Sequence, residues 1–325
     1  MPVEVLCIGH ASCDVSLFVD EFPLENSKCE IRESLEACGG PAANAAWLLS
    51  SWGLQCAFAG LVGEDVQGRR TRDELVGVGA NVSLLELRAG HATPLSMIII
   101  NKQNGSRTIV NRKLAGAPLR LDEATLRQLW PRVMLFDGHE LEASMTALEL
   151  FPDAISILDA GSWREGIAAL ANRVHYLAAS ERFALQATGM ASLRDETEQR
   201  ACLMKLRDKF RSKIIVTMGQ GGLIVDDGSG FGHLPAFPAR AVDTTAAGDS
   251  FCGSLVAALS QGLAMHQALP LACAAGALAC TQPGAQSSIP QATDVAVFLA
   301  QQPAPSASAM ETLRTYCGLP AGTHP

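Results

Sequence analysis

Short apolar runs alternate with amphipathic stretches along most of the chain. Val3 to Ile8 is the first such run, and it stops at Gly9. Cys56 to Val62, Val82 to Leu87 and the runs at 132–136, 154–158, 174–177 and 213–218 repeat the pattern. Unbroken runs of this length predict strands buried on both faces. Between them, Gln67 to Val78, 122–129, 140–150, 164–171 and 195–210 carry apolar residues at helical spacing. Two apolar helices at 249–261 and 266–281 and a last one near 291–300 are expected to follow. GGPAANAAWLLSSWG, Gly39 to Gly53, predicts a further helix, because Pro41 suits a first helical position and Gly53 a stop. Its Trp47 and Trp52 are helix-spaced and read as core. Strand–helix alternation predicts a mostly parallel sheet with helices on both faces.

Two segments break the alternation. TPLSMIIINKQNGSRTIVN, residues 93–111, is two β-rich runs around Asn104-Gly105, a strong hairpin signal. Ser16 to Val19 and Cys29 to Leu35 read as extended pieces around the turn-like PLENS. These insertions, 14–35 and 91–113, cannot join the main sheet by order and are expected to form a small second layer. The α/β core then comprises 1–13, 36–90 and 114–300, and QQPAPSASAM opens a tail at 301–325. An antiparallel pair is expected around Asp227-Gly228.

Composition narrows the class. A chain of 325 residues with 48% hydrophobic residues can bury a sizeable core, and disorder is excluded as the main state. A net charge of −8, from 25 Lys+Arg against 33 Asp+Glu, argues against a nucleic-acid surface. The ten cysteines include no C-x-x-C pair and sit mostly in apolar runs, so they read as reduced structural thiols. The N-terminus lacks the basic and apolar regions of a signal peptide, and no run is long enough to span a membrane. A cytoplasmic protein is the expectation.

Chemistry concentrates in three places. In AVDTTAAGDSFCGSLVAALSQG, Ala246, Ala247 and Gly248 precede Asp249 at the start of a helix. Small residues let backbone N–H groups converge on an anion, and the helix terminus adds partial positive charge. A carboxylate there is poorly suited to hold phosphate and well suited to accept a proton, although Asp249 could equally be an N-cap. In CGGPAANAA, Gly39 and Gly40 permit close backbone approach and Asn44 can read hydroxyls, or the stretch is simply a strand-to-helix turn. In VTMGQGG, Thr217 and Gly219 offer a hydroxyl and an N–H to a phosphate, but the glycines do not form a Walker A loop.

Together, GGPAAN and DTTAAGDSF, with VTMGQGG between them, resemble the two signatures of the ribokinase family, the PfkB carbohydrate kinases. The resemblance covers about residues 3 to 298 and implies a ribokinase-like three-layer α/β/α fold with a β-sheet lid. It implies transfer of a phosphoryl group from ATP to a sugar hydroxyl, and a homodimer joined through the lid. Asp249 matches the catalytic base, and Ala246, Ala247 and Gly248 match the anion hole. Asp14, Gly39, Gly40 and Asn44 match the sugar site. Thr217, Gly219 and Gly222 match nucleotide contacts. Asp243, Thr245, Ala279, Gly284 and Ser288 match a loop that holds a monovalent cation, usually potassium.

The chain departs from the family in two places. The usual Gly-Ala-Gly-Asp is Ala246-Ala247-Gly248-Asp249, and Ala246 would cost about 1 kcal/mol if its φ were positive. The Asn-x-x-Glu that arranges Mg2+-bound water is Ser180-Glu181-Arg182-Phe183, with Glu181 read as a solvated loop charge. The lid sequences resemble the ketohexokinase and sulfofructose kinase branches. In the latter, positions matching Lys28 and Asn111 face a sulfonate, and an Arg stands near the place of His139. Arg107 reads as an exposed strand cation. The expected acceptor is a ketohexose-like sugar or derivative. A ribokinase, a nucleoside kinase and a non-catalytic sugar sensor are the rivals. A dinucleotide-dependent oxidoreductase is excluded, because the first strand runs into GHASCD rather than G-x-G-x-x-G.

Overall fold

The computed structural model describes residues 3–226 and 231–302. The chain begins with β1 (Val5–Ile8), β2 (Ser12–Val19), β3 (Ser34–Gly39), α1 (Pro41–Ser51), β4 (Cys56–Gly63), α2 (Val66–Gly77) and β5 (Asn81–Arg88). A hairpin of β6 (Leu95–Asn101) and β7 (Arg107–Arg112) leads to α3 (Glu123–Leu126), β8 (Val133–Phe136), α4 (Leu141–Leu150), β9 (Ile155–Ala160) and α5 (Glu165–Ala171). Next come β10 (Tyr176–Ser180), α6 (Glu181–Thr188), α7 (Glu196–Lys209), β11 (Lys213–Thr217), β12 (Leu223–Asp226) and β13 (Phe231–Leu234). Helices α8 (Ala247–Ser260), α9 (Met265–Ala279) and α10 (Ala292–Ala300) complete the described fold.

Nine strands form one sheet in the order β13-β12-β11-β10-β9-β8-β1-β4-β5. Pairing is parallel from β11 through β5, and β12 and β13 add antiparallel strands at one edge. Side-chain alternation divides the core between the two faces. Val5 and Cys7 point to the face packed by α1, α8 and α9, while Leu6 and Ile8 point to the face packed by α4, α5, α6 and α7. The strand order reverses at β1, between β8 and β4. In sheets of this kind, the crevice beyond the carboxyl ends at such a reversal is where ligands bind. A separate four-stranded sheet, β3-β2-β6-β7, carries the β-rich insertions.

Several elements differ from the sequence expectation. The extended piece expected at Cys29 to Leu35 is instead β3, starting only at Ser34, because its register is set by pairing Ser12–Leu17 of β2. A turn with Ser27 N–H on Leu24 O (3.1 Å) and Asn26 at φ 59° occupies part of the intervening segment. The helix expected at 122–129 is one turn. The stretch after Ser180, expected as loop, is helix α6. Ser180 caps it by accepting from Phe183 N–H (3.1 Å), and Phe183 is fully buried against Trp163 and Phe210. The Asp227-Gly228 turn and nearly all of the 301–325 tail lie outside the described residues. The described cysteines are free thiols, and Cys29 is the exposed one among them. No helix of the described residues is long and apolar enough to cross a membrane.

Candidate active site

Two helices bring the sequence motifs together. Gly253 of α8 lies so close to α1 that a Cβ there would stand 3.4 Å from the Ala45 Cα. At the site end of this pair, Asn44 Nδ2 donates to Asp249 Oδ2 (2.6 Å). Gly40, at φ 100°, begins α1, and a Cβ there would meet the His10 carbonyl oxygen at 2.4 Å. Only glycine fits this approach. Ala246 starts α8 in the left-handed region, φ 60° and ψ 5°. This turn leaves the helix N-terminus facing open space, since a Cβ on Gly248 would meet nothing within 4 Å.

Asp249 lines the larger of two cavities, next to Gly248, which borders both. The larger, about 540 Å³, is lined by Asp14, Gly40, Asn44, Asn111, His139, Thr217, Thr245, Ala246, Gly248 and Asp249, among others. The smaller, about 250 Å³, takes Thr217, Gly219, Gly222, Ala247 and Gly248, with apolar walls from Ala236, Phe237, Cys273 and Ala277. Thr217 and Gly248 border both. Burial pushes the Asp249 carboxyl up to about 6, against the Asn44 hydrogen bond and the Arg107 charge, which pull it down. Burial also pushes Asp159 up to about 8, with the Asp249 charge adding to the rise.

The lid sheet supplies the opposite wall. Register sets Asp14, Ser96 and Asn111 in one row across β2, β6 and β7, and all three line the larger cavity. Asp14 accepts from Ser12 Oγ (2.7 Å), and burial raises its pKa. Gly39 gives it room, because a Cβ there would overlap the Asp14 carboxylate at 1.9 Å. Asp243 is buried, and its Oδ1 accepts from Thr245 N–H (2.8 Å) and Oγ1 (2.7 Å). Its Oδ2 accepts from Gly284 N–H (2.9 Å), while Ser288 Oγ donates to Ala285 O (2.8 Å). Ala279 closes α9, and the next carbonyl, of Cys280, accepts from Val242 N–H (2.8 Å).

Two sequence expectations are corrected and one is extended. Lys28 is exposed in the segment between β2 and β3 and is not among the residues lining the cavity. Arg107 is exposed as expected, yet it also lines the larger cavity and donates to Thr244 Oγ1. Glu181 lies in the first turn of α6 rather than in a loop, and Phe183, the residue standing where the family has its Glu, is core.

Sequence reasoning missed a group at the β1/β8 switch point. Asp137 is buried and accepts from the backbone N–H groups of His10 (2.8 Å), His139 (3.0 Å) and Ala42 (3.1 Å). It therefore ties its own loop, between β8 and α4, to the β1–β2 loop and to the first turn of α1. His10 and His139 stack with ring centroids 4.3 Å apart. Burial lowers both imidazoles to about 3, with His139 and nearby cations adding for His10, and Arg164 and Lys113 adding for His139. Arg164 bonds His139 Nε2 through Nη1 and donates to Asp137 O through Nη2 (3.3 Å). The available signal was an acid directly after an apolar strand, in VMLFDGHE, at a switch point.

A doubly wound sheet with a β-sheet lid walling the cavity beyond its strand ends is the ribokinase-like architecture. The chain matches the pfkB family carbohydrate kinase over residues 3–292 and belongs to that family, as an ATP-dependent carbohydrate kinase. It is 29% identical over 310 residues to an ATP-dependent ribose-1-phosphate kinase of Halopiger xanaduensis, covering 92% of this chain and 99% of the relative. A Salmonella typhimurium fructokinase is 27% identical over 284 residues, 80% of this chain and 91% of the relative. The crystal structure of a Thermotoga maritima ribokinase superposes with a TM-score of 0.75 at 26% identity, covering 92% of this chain and 100% of that one.

Proposed function

We propose that the chain transfers the γ-phosphoryl group of MgATP to a hydroxyl of a ketohexose-like sugar or derivative. The observation that carries this reading is Asp249, bonded to Asn44 in the larger cavity and adjacent to Gly248, which borders both cavities. The smaller cavity suits a purine, with flat apolar walls beside the glycine turn after β11. The larger suits a polyol, with Asp14, Asn44 and Asn111 as hydroxyl partners. Asp249 takes the proton of the attacking hydroxyl. The oxygen bonds to the γ-phosphorus, the bond to the bridging oxygen breaks, and ADP leaves. The α8 N-terminus, with Ala246, Ala247 and Gly248, stabilises the negative charge that develops.

Ser180 and Phe183 do not fit the family's magnesium-water arrangement. The Ser180 hydroxyl donates to Gly161 O (2.8 Å) while capping α6, and Phe183 is core. Magnesium therefore enters as part of the nucleotide substrate, and no step is assigned to these two residues. The loop around Asp243, Thr245, Ala279, Gly284 and Ser288 is proposed to take potassium, since the buried Asp243, Thr245 and Ser288 offer oxygen ligands there. A homodimer through the lid and a cytoplasmic setting complete the reading.

A second reading has support. The ribose-1-phosphate kinase relative is matched over nearly its full length, so a ribose derivative is the alternative acceptor. ADP release with ketoses, aldoses and their derivatives, in potassium and in sodium, separates the two. Asp249→Asn is expected to lower kcat by at least about 100-fold with the fold intact. Wild-type turnover in that variant would remove the base assignment.

A further inference from the structure

The lining of the larger cavity mixes charges, with Asp14, Asp137, Asp159 and Asp249 as its acids. Four cations line it: Arg107, Lys113, Arg164 and Arg182. Arg107 bonds Thr244 in the loop before α8, and its charge acts on Asp249. Arg182 follows Ser180, which pairs in register with Thr217, a residue bordering both cavities. These two cations are left to the triphosphate of the proposed reaction. Lys113 and Arg164 belong to a different group, around Asp137, His10 and His139, and act on one another electrostatically.

Within that second group the charges do not balance. The two imidazoles are held neutral. Asp137 has its oxygens taken by three backbone N–H groups, and Asp159, the other carboxyl that acts on Arg164, is pushed up to about 8 by burial. With the Asp159 carboxyl keeping its proton at neutral pH, two cations face one charged carboxylate whose oxygens are already used. Arg164 also has a buried Nε–H with no hydrogen-bond partner. A buried donor on a charged group is costly to leave unmade, and an anionic acceptor satisfies it best. A neutral hydroxyl would accept the bond but leave the charge uncompensated.

We propose that the sugar acceptor carries an anionic group, which Arg164 and Lys113 hold beside the stacked His10 and His139. The inference rests on the kinase reading above and names the substrate class of the same site. The shared chemistry is that of an oxyanion, and a phosphate ester, a sulfonate and a carboxylate are separate arms of the test.

The test uses matched pairs: fructose with fructose 1-phosphate, fructose 6-phosphate and 6-deoxy-6-sulfofructose, ribose with ribose 1-phosphate and ribose 5-phosphate, and glucose with gluconate. Sugar KM is read from ADP release. Binding is read separately by calorimetry on Asp249→Asn, so that loss of turnover does not hide binding. At least one anionic member is expected to bind about tenfold or more tightly than its neutral counterpart. Arg164→Gln and the exposed Lys113→Gln are each expected to raise its KM about tenfold, with kcat within about threefold and the neutral sugar's KM unchanged. Equal or tighter binding of every neutral sugar overturns the proposal, as does no binding of any anionic sugar to Asp249→Asn. An anion preference that survives both substitutions overturns it too. Failure of the kinase reading looks different, as no sugar-dependent ADP release by the wild-type chain with any member of the panel.

Discussion

In the proposed reaction, Ala246 and Asp249 are single residues that trade stability for chemistry. A non-glycine residue at φ 60° costs about 1 kcal/mol, and here the strained turn opens the α8 terminus to both cavities. Asp249 costs more at neutral pH than at acid pH. Its folded pKa, about 6, lies above the ordinary 3.8, so the folded state binds the proton more tightly. Stability from this group is present at low pH and is lost as pH rises from about 4 through about 6. An asparagine in its place would keep an oxygen for the Asn44 amide and carry no charge. Asp249→Asn is therefore expected to melt at a higher temperature than the wild type at about pH 8, with the difference shrinking toward about pH 4. A difference that stays constant with pH, or a lower midpoint at pH 8, would sink this account. Asp249 was legible in the sequence because its small-residue cradle is contiguous. Asp137 and Arg164 were not, because their partners come from loops distant in the chain, and only the reversal of strand order at β1 brings them together.

At the scale of elements, local pattern and tertiary pairing divide the credit. Strands buried on both faces and the helices between them could be read from apolar runs, since each run has one periodicity. The limits of β3 could not, because they depend on which residues of β2 it pairs. Helix α6 escaped because its buried contacts, Phe183 with Trp163 and Phe210, come from other parts of the chain. The β6–β7 hairpin carries chemistry that alternation alone hides. Its tip lies against the loop before α8, where Thr244 Oγ1 donates to Gly105 O (3.3 Å) and Arg107 donates to Thr244. The hairpin thus brings a cation to the Asp249 end of the cavity, and that cation lowers the Asp249 pKa. Removing the charge in Arg107→Met should let the carboxyl rise further. The acid limb of the kcat/KM profile should move to higher pH, whatever happens to its height. A limb that stays in place, or moves to lower pH, would show that Arg107 does not tune the base.

Over the whole molecule, the lid sheet has two unlike faces, and register assigns each a task. The row Asp14–Ser96–Asn111 faces the cavity. The neighbouring row, Val15–Met97–Val110, and the adjacent Leu17–Ile99 pair point to the other side. These side chains are half-buried or exposed, with Val110 at 62% exposure. A contiguous apolar patch on an open sheet marks an association surface, and a second copy of the same face is the partner proposed above. Covering it would also hold the cavity wall rigid, so assembly and sugar binding should be linked. The wild-type chain is expected to sediment as a dimer at micromolar concentration. Met97→Glu, which sets a charge in the middle of the patch without touching the cavity row, should sediment as a monomer. Its sugar KM should rise while the melting midpoint of the core changes little, because the substitution lies outside the nine-stranded sheet. A wild-type monomer would remove the lid interface. A monomeric Met97→Glu with an unchanged KM would leave assembly without a part in binding.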